Sequence, residues 1–532
     1  MPRGTPLKTP VTVMGTRYDL PFHEVPPVAN YEATSILSRH NVIVPRPGLT
    51  KLFATGFGEQ VMGGIYVKLN DLTEKVVAGG LTKWKVANFG TLAWDDITGT
   101  PLTGTEDDQV RFIKWPESGS TYVIGVNNVD TPKEWNGLAA TYSELTGLSG
   151  WTSAKDITVC SNRIVLFNVV QGAVRYPFRV IFLDFNARTF TATNVIDLTD
   201  VNDTIVAGRA LTRTAFAVLG EQSQWVGTAQ NGTFAFRVEL QDTMPGPASP
   251  GSVIDRYGRL YYLGNDGSFY MFDGSRTYHI GEPIRKKVQA SINYSSLGRV
   301  HGMWRLADRT FWWWYPTTAS NPTVAVSFRP VPDARSLEGE WRYHEFAAGM
   351  ELTASWPFKF ISSLTWDTLP VAWTWDTIST DYPTWNSFPG TATAEELIGS
   401  TDQTYRFGDT GNDDGSVIAA SWEMQAPWEP GTRERVDAYE TFFKQTSSAV
   451  TATVSLGTTD TLATTPNYPA ALEEAHDISV DTRHVTDVAD ADGGQGTATA
   501  EAQFVAVKHA VSAAVPWEWR GGALYVSPSR VD

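Results

Sequence analysis

The sequence has little of what marks a disulfide-stapled secreted protein or a nucleic-acid-binding protein. Its 532 residues include a single cysteine, Cys160, so no disulfide framework can form within the chain. Cys160 stands in an apolar run and is interpreted as a buried structural thiol. Lys and Arg number 42 against 58 Asp and Glu, a formal net charge of −16. A protein that binds DNA tightly needs cationic groups to neutralise phosphates, and the chain as a whole has no excess of cationic residues.

Long apolar runs and helical periodicity are also scarce. No window approaches the ~18 uninterrupted apolar residues of a membrane-spanning helix, and the N-terminal Met-Pro-Arg-Gly-Thr-Pro lacks the apolar core of a signal peptide. We therefore expect no membrane span, and synthesis and folding in a cytoplasm. The clearest helical candidate is 432–444, a stretch that is also compatible with a strand.

Familiar catalytic and metal-binding motifs are missing. There is no Gly-rich phosphate loop ending in Lys-Ser or Lys-Thr, no His-Glu-x-x-His, no Cys-x-x-Cys and no Gly-x-Ser-x-Gly. His279, His301 and His344 have no partner at metal-ligand spacing. Residues 412–415 look like the start of a calcium loop, which we keep as a minor alternative because the bidentate Glu is missing. The sequence predicts no catalytic residue, cofactor or metal.

The residues that are plentiful favour strands. Aromatics make up 12% of the chain, with 20 Trp, and the 45 Gly and 30 Pro are spread along it. Short apolar or alternating runs end repeatedly at Gly, Asn, Asp or Pro, without helical spacers between them. This pattern predicts a mainly-β protein with helix below about 15% of residues. At this length two or three domains are expected, and a β-propeller is favoured over a single sandwich.

The clearest blade of that propeller is predicted over 255–274. Asn265-Asp266-Gly267 supplies the positive-φ residues of a tight hairpin, and Asp273-Gly274 makes the next turn. Composition then changes at a Gly- and Asp-rich run near 409–415, beyond which the chain is rich in Ala, Thr and Val. We predict an N-terminal extended arm over 1–50, a propeller over 51–415 and a C-terminal β-sandwich-like domain over 416–532.

A short internal repeat adds a structural prediction. Trp366, Trp375 and Trp385 each begin a Trp-(Asp/Asn)-(Thr/Ser)-apolar unit at intervals of nine and ten residues, and Trp94 begins a looser upstream copy. We interpret these four Trp as structural, pinning an extended stretch to the surface.

Two further clusters are candidate interfaces. Trp312, Trp313 and Trp314 are consecutive, and they predict either a carbohydrate groove or, as we favour, a strand at an interface or core edge. Arg285, Lys286 and Lys287 form the one local basic run. We interpret this run as a solvated or inter-subunit contact rather than a clamp on DNA.

Several weak motifs occur in order along the chain: 41–49 with Arg46-Pro47-Gly48, 126–130 with 134–137, 197–205, 221–225 and 262–284. Taken in that order, they resemble the tail nozzle proteins of short-tailed bacteriophages, the tail tubular protein B and packaged-DNA-stabilising type. Asn128 stands where that family usually has Gly, and the resemblance covers about 40 to 420.

The resemblance implies a virion structural protein with no enzymatic activity, located in the tail. In that family a propeller-based subunit forms a homo-oligomeric ring, usually a hexamer, which encloses the DNA channel, joins the adaptor above and receives a fibre or needle tip below. A net acidic wall suits a channel through which genomic DNA passes without tight binding. The alternatives are a carbohydrate-binding or glycoside-hydrolysing propeller, and another phage tail or baseplate structural protein.

Overall fold

The computed structural model of the chain describes seventeen stretches and one isolated residue. These are 5–9, 15–21, 24–26, 29–39, 42–201, 203–230, 235–331, 337–360, 393–408, 411–425, 434–446, 448–459, 468, 473–479, 483–487, 501–502, 504–513 and 515–528.

Strand accounts for 55% and helix for 6% of the structure, which confirms the mainly-β prediction. One α-helix of the described residues, α1, spans Glu282–Ser291, with Pro283 in its first turn and an acidic residue at its positive end. The segment offered as a helical candidate forms a strand instead, Glu434–Phe443. There Tyr439 and Phe443 are buried, and a sheet pairs the segment on both sides.

Seven antiparallel four-stranded units are present in the described residues, and they are the blades of a β-propeller. Five short strands precede them: β1 (Thr5–Thr9), β2 (Asn30–Thr34), β3 (Ile36–Arg39), β4 (Val42–Pro45) and β5 (Gly48–Lys51). Blade 1 has β6 (Val61–Lys68), β7 (Glu74–Gly80), β8 (Trp84–Asn88) and β9 (Ala93–Asp96); blade 2 has β10 (Arg111–Glu117), β11 (Ser120–Val126), β12 (Lys133–Trp135) and β13 (Ser143–Glu144); blade 3 has β14 (Trp151–Cys160), β15 (Arg163–Gln171), β16 (Val174–Phe182) and β17 (Val195–Asp197).

The remaining blades follow in chain order. Blade 4 has β18 (Ile205–Ala210), β19 (Ala215–Gly220), β20 (Gln224–Ala229) and β21 (Phe236–Asp242); blade 5 has β22 (Ile254–Arg256), β23 (Arg259–Leu263), β24 (Phe269–Phe272) and β25 (Thr277–His279); blade 6 has β26 (His301–Arg305), β27 (Thr310–Pro316), β28 (Pro322–Pro330) and β29 (Gly339–Glu345); blade 7 has β30 (Leu352–Phe360), β31 (Thr393–Ser400), β32 (Thr404–Gly408) and, as its outer strand, β5. Blade 5 is the unit predicted over 255–274, with Gly267 at φ +78° in its central turn.

The ring closes where the first strand of blade 7 meets the first strand of blade 1. A Cβ on Gly64 of β6 would lie 2.3 Å from the indole of Trp356 on β30, so glycine permits this close approach. The Thr353 hydroxyl donates a hydrogen bond to the Val61 carbonyl at 2.6 Å. Blade 7 is completed by β5, which pairs antiparallel with β32 although the two are distant in sequence.

The C-terminal domain is a β-sandwich. Its strands are β33 (Asn412–Asp413), β34 (Ser416–Gln425), β35 (Glu434–Phe443), β36 (Thr451–Thr459), β37 (Glu473–Asp477), β38 (Arg483–Asp487), β39 (Glu501–Ala502), β40 (Phe504–Ala513) and β41 (Trp519–Pro528). One sheet runs β2-β34-β40-β36-β37 and continues into blade 6 through β29; the other runs β3-β4-β41-β35-β38, with β1 on β41. Between them Trp422 stacks on His509 and Trp517.

The described residues of 1–50, predicted as an extended arm, form strands of the two domains instead. In the structure β1 to β4 belong to the sheets of the sandwich, and β5 belongs to blade 7. The physical reason is that their backbone N–H and C=O groups find partners in strands from the far end of the chain. Both domains are therefore completed by this short stretch.

Candidate functional site

A network of charged side chains lies where the inner strands of blades 2, 3 and 4 meet. Asp156 on β14 is fully buried, and its carboxylate accepts hydrogen bonds from the Gly208 N–H at 2.9 Å and from the Arg209 guanidinium. The Arg111 Nε lies 3.6 Å from its other oxygen, and Arg209 also donates to the Pro250 carbonyl ahead of blade 5. Burial lowers the pKa of Arg111 to about 10, so it is cationic at neutral pH. One carboxylate thus links neighbouring blades around the axis.

Contacts also cross the axis. The side-chain amide of Gln109, just before blade 2, donates to the Val300 carbonyl at 2.9 Å and accepts from the Gly251 N–H at 2.8 Å. Beside it Arg299 pairs with Asp107 at 2.7 Å. Blade 2 lies opposite blades 5 and 6 in a seven-membered ring, so these bonds bridge the centre of the propeller. Within the described residues, these bonds therefore span the axis at this face of the propeller.

The junction of the two domains is built on Arg46. Its guanidinium forms two hydrogen bonds with the carboxylate of Asp413, one of them at 2.8 Å, and donates to the Glu345 carbonyl at 2.7 Å. Both side chains of the pair are only 1% exposed. The same carboxylate accepts from the N–H groups of Leu49 and Ala347, each at 3.2 Å. Blade 6, blade 7 and the sandwich therefore meet at one buried ion pair.

This pairing also bears on the calcium alternative for 412–415. Asp413 is the partner of Arg46, and Asp414 pairs with Lys51 at 2.8 Å. Within the described residues no group of three or more His, Cys, Asp or Glu is placed to hold a metal ion.

The other motifs that carry the resemblance close turns between strands. Asn128 has φ +69°, the left-handed conformation that Gly adopts without strain. Asp130 accepts two hydrogen bonds from Thr103, from the N–H at 2.8 Å and the hydroxyl at 2.7 Å. Asp203 accepts from the N–H groups of Glu221 and Gln222, each at 3.0 Å. These motifs are structural in this chain.

The predicted Trp clusters have different outcomes. Trp312, Trp313 and Trp314 on β27 are fully buried, two facing the blade 7 side and one facing blade 5. This burial agrees with the core-edge alternative and contradicts both the interface and the carbohydrate groove, because rings with no exposed surface reach neither a second subunit nor a sugar. Trp94 is buried between blades 1 and 7, where its indole N–H donates to the Thr404 hydroxyl at 3.2 Å.

The three remaining members of the Trp repeat are Trp366, Trp375 and Trp385. All three lie outside the described residues, so their structural role stays a prediction.

The basic run lies on α1 and contacts the N-terminal segment. Lys286 donates to the Asp19 carbonyl at 2.9 Å, and the Lys287 Nζ lies 3.5 Å from the Glu32 carboxylate. Arg285 pairs with Glu282 at 3.1 Å within the helix and is half-exposed. All three charges therefore have partners inside the chain, and the partner of Arg285 lies on the helix itself.

Burial shifts the pKa values of His301, His344 and Cys160. His301 accepts from the Ser355 hydroxyl at Nδ1 (2.9 Å) and donates from Nε2 to the Leu352 carbonyl (3.0 Å), which fixes its tautomer. Desolvation lowers the pKa of His301 to about 4 and that of His344 well below its usual value. Burial raises the pKa of the Cys160 thiol to about 12, as expected for an inert structural cysteine.

Sequence reasoning missed the residues that hold the blades together. Asp156 and Arg209 are charged residues inside apolar strand runs, β14 and β18, and that mismatch was a usable signal. Gln109 and Asp413 gave no such signal, since both stand among polar residues.

Compared with known protein families and with curated proteins, the sequence gives no match. Among the described residues, no helix has the length and apolarity needed to cross a membrane.

Proposed function

We propose that the chain is a virion structural protein, a tail nozzle or head-to-tail connector subunit of a short-tailed bacteriophage. Several copies form a ring around the DNA exit channel, joining the adaptor to the tail fibre or needle tip. The proposal is supported by the positions in the fold of the motifs that carry the family resemblance. Arg46-Pro47-Gly48 sits at the junction of propeller and sandwich, and the Asn127–Asp130 and Asp203 motifs close blade turns.

The cross-axis bonds of Gln109 specify where the channel would run. Because they bridge the centre of one propeller, DNA would pass between several subunits and not through one. The net charge of −16 supports a wall that repels phosphates and lets the genome slide.

The first test is assembly. Purified protein is studied by size-exclusion chromatography with light scattering, and the peak by electron microscopy. We expect a closed ring with a central opening wide enough for a duplex. A monomer at every concentration tested, with or without the neighbouring tail proteins of its own phage, would contradict the proposal.

The second test is DNA affinity, measured by titrating duplex binding to the assembled ring at several salt concentrations. Binding should be weak near physiological ionic strength, with little dependence on salt, because few counterions are released. The contrary outcome is tight and steeply salt-dependent binding that is abolished in the Lys286→Ala/Lys287→Ala double variant and kept in Arg237→Ala. It would show that the channel wall binds DNA.

A further inference from the structure

A cleft of about 450 Å³ lies between the β3–β4 hairpin of the sandwich and blade 6. One wall is β3, with Leu37 and Ser38; the other is the β26–β27 turn with one face of β27, β28 and β29. Its charged lining residues are Asp308, Arg309, Arg329, Glu340 and Arg342.

The cleft has two guanidinium groups, Arg342 on its floor and Arg329 at its side, and neither forms a direct hydrogen bond with the Glu340 carboxylate. Arg342 has a side chain only 2% exposed, and Glu340 one that is 7% exposed. The Glu340 carboxylate lies 4.0 Å from the nearest nitrogen of Arg342 and also 4.0 Å from that of Arg329. That separation is too long for a hydrogen bond, so the carboxylate only partly compensates the two cations.

The arginines are held in place by the opposite wall. Arg342 donates to the Ser38 hydroxyl at 2.6 Å, and Arg329 donates to the Ser38 carbonyl at 2.6 Å. These bonds leave the buried Arg342 Nε without a partner. A buried guanidinium N–H that stays unpaired is unfavourable, and an acceptor oxygen in the cleft would satisfy it.

The rim adds a third positive charge. Arg309, at φ +56° in the β26–β27 turn, is exposed. Its neighbour Asp308 is a weak competitor for it, since the Asp308 carboxylate already accepts from Arg305 and Thr310. The cleft is therefore lined by three arginines and two carboxylates, and one of those carboxylates, Asp308, is already paired with Arg305.

We propose that this cleft binds an oxyanion, presented either by an acidic side chain of a neighbouring polypeptide or by a free phosphate-like anion. Arg342 binds it from the floor, Arg329 from the side and Arg309 closes the rim. Glu340 weakens binding by repulsion and thereby favours release. The proposal does not depend on ring formation, because every residue involved belongs to one chain.

The experiment is calorimetric titration of the full chain with three probes, inorganic phosphate, malonate and a tetraglutamate peptide. Arg329→Gln and Arg309→Gln should each weaken binding roughly tenfold, the effect of one lost charge-assisted contact. Glu340→Gln should strengthen binding by a similar factor, a change of sign that mere loss of packing cannot produce. Arg237→Gln, which removes a 70% exposed charge on blade 4, is the matched control and should change nothing.

The relative affinities of the probes distinguish the two sources. A preference for tetraglutamate over malonate identifies a polypeptide carboxylate, and a preference for phosphate identifies a free tetrahedral anion. No saturable binding of any probe, or binding altered equally by Arg237→Gln and Arg329→Gln, would overturn the proposal. Circular dichroism of each variant confirms that the fold is retained.

Discussion

Blades 1 to 5 and the closure of the molecule are built in opposite ways. Each of the first five blades uses four consecutive strands, so every pairing is a local hairpin. Blade 7 takes its outer strand, β5, from residues 48–51 and its other strands from residue 352 onwards, and the sandwich pairs β1 with β41. Local hairpins form at little entropic cost, whereas these closures require both ends of the chain to meet. We therefore expect the free energy of unfolding to be most sensitive to residues at these non-local strand pairings and at the contacts beside them.

The largest expected effect is at Arg46, where both domains meet. Arg46→Ala leaves the Asp413 carboxylate buried without its ion-pair partner. We expect the free energy of unfolding to fall by about 3–5 kcal/mol, measured by urea titration. The double variant Arg46→Ala/Asp413→Ala removes the orphaned charge and should recover part of that loss. A loss below about 1 kcal/mol for the single variant would show that the seam is not where stability is decided.

The second effect is a pH dependence at the seam of blades 6 and 7, where His301 is buried. Its folded-state pKa of about 4 lies below the unfolded value near 6.5, so the unfolded chain binds the proton first. The part of the unfolding free energy that depends on neutral His301 is fully present above about pH 6.5. It falls by at most about 3 kcal/mol as the pH drops towards 4. His301→Gln should therefore flatten the profile of unfolding free energy over this window. An unchanged slope would show that His301 is not buried as described.

The third effect is the loss of stability when a single hydrogen bond between blades 7 and 1 is removed. Thr353→Val removes the hydroxyl that donates to the Val61 carbonyl and should lower the unfolding free energy by about 1–2 kcal/mol. Thr152→Val is the local counterpart, because that hydroxyl donates to the Gly172 carbonyl inside blade 3, at a partly exposed position. Thermal unfolding of the two variants compares them directly, and an equal or larger loss at Thr152 would reverse the comparison.

The smallest effect is expected for an ion pair inside one local blade. Arg179 on β16 forms a bidentate pair with Asp197 on β17, and both side chains are partly exposed to solvent. Arg179→Ala should lower the unfolding free energy by less than about 1 kcal/mol in a urea titration. A loss as large as that of Arg46→Ala would mean that local blades depend on ion pairs as strongly as the seams do.

The sequence predicted the local elements well where turns and apolar alternation coincide. The hairpin at Asn265-Asp266-Gly267 is the central turn of blade 5. The same reasoning could not place Trp312 to Trp314, because a strand with aromatic residues on both faces is equally typical of an interface and of a core between two blades. It also placed Asp413 only in a Gly- and Asp-rich run where the composition changes, since nothing nearby in sequence identifies Arg46 as its partner.

What the sequence by itself determined is the class of structure: many short strands joined by Gly, Asn and Asp turns, little helix and a strongly acidic chain. The tertiary structure alone decided that the described blades number seven, that β5 completes the last of them, and that Gln109 bridges the axis. The physical reason is that every strand edge offers the same row of N–H and C=O groups. Periodicity shows that a strand forms and which face is buried, but the distant partner is selected by side-chain packing and by buried pairs such as Arg46 and Asp413.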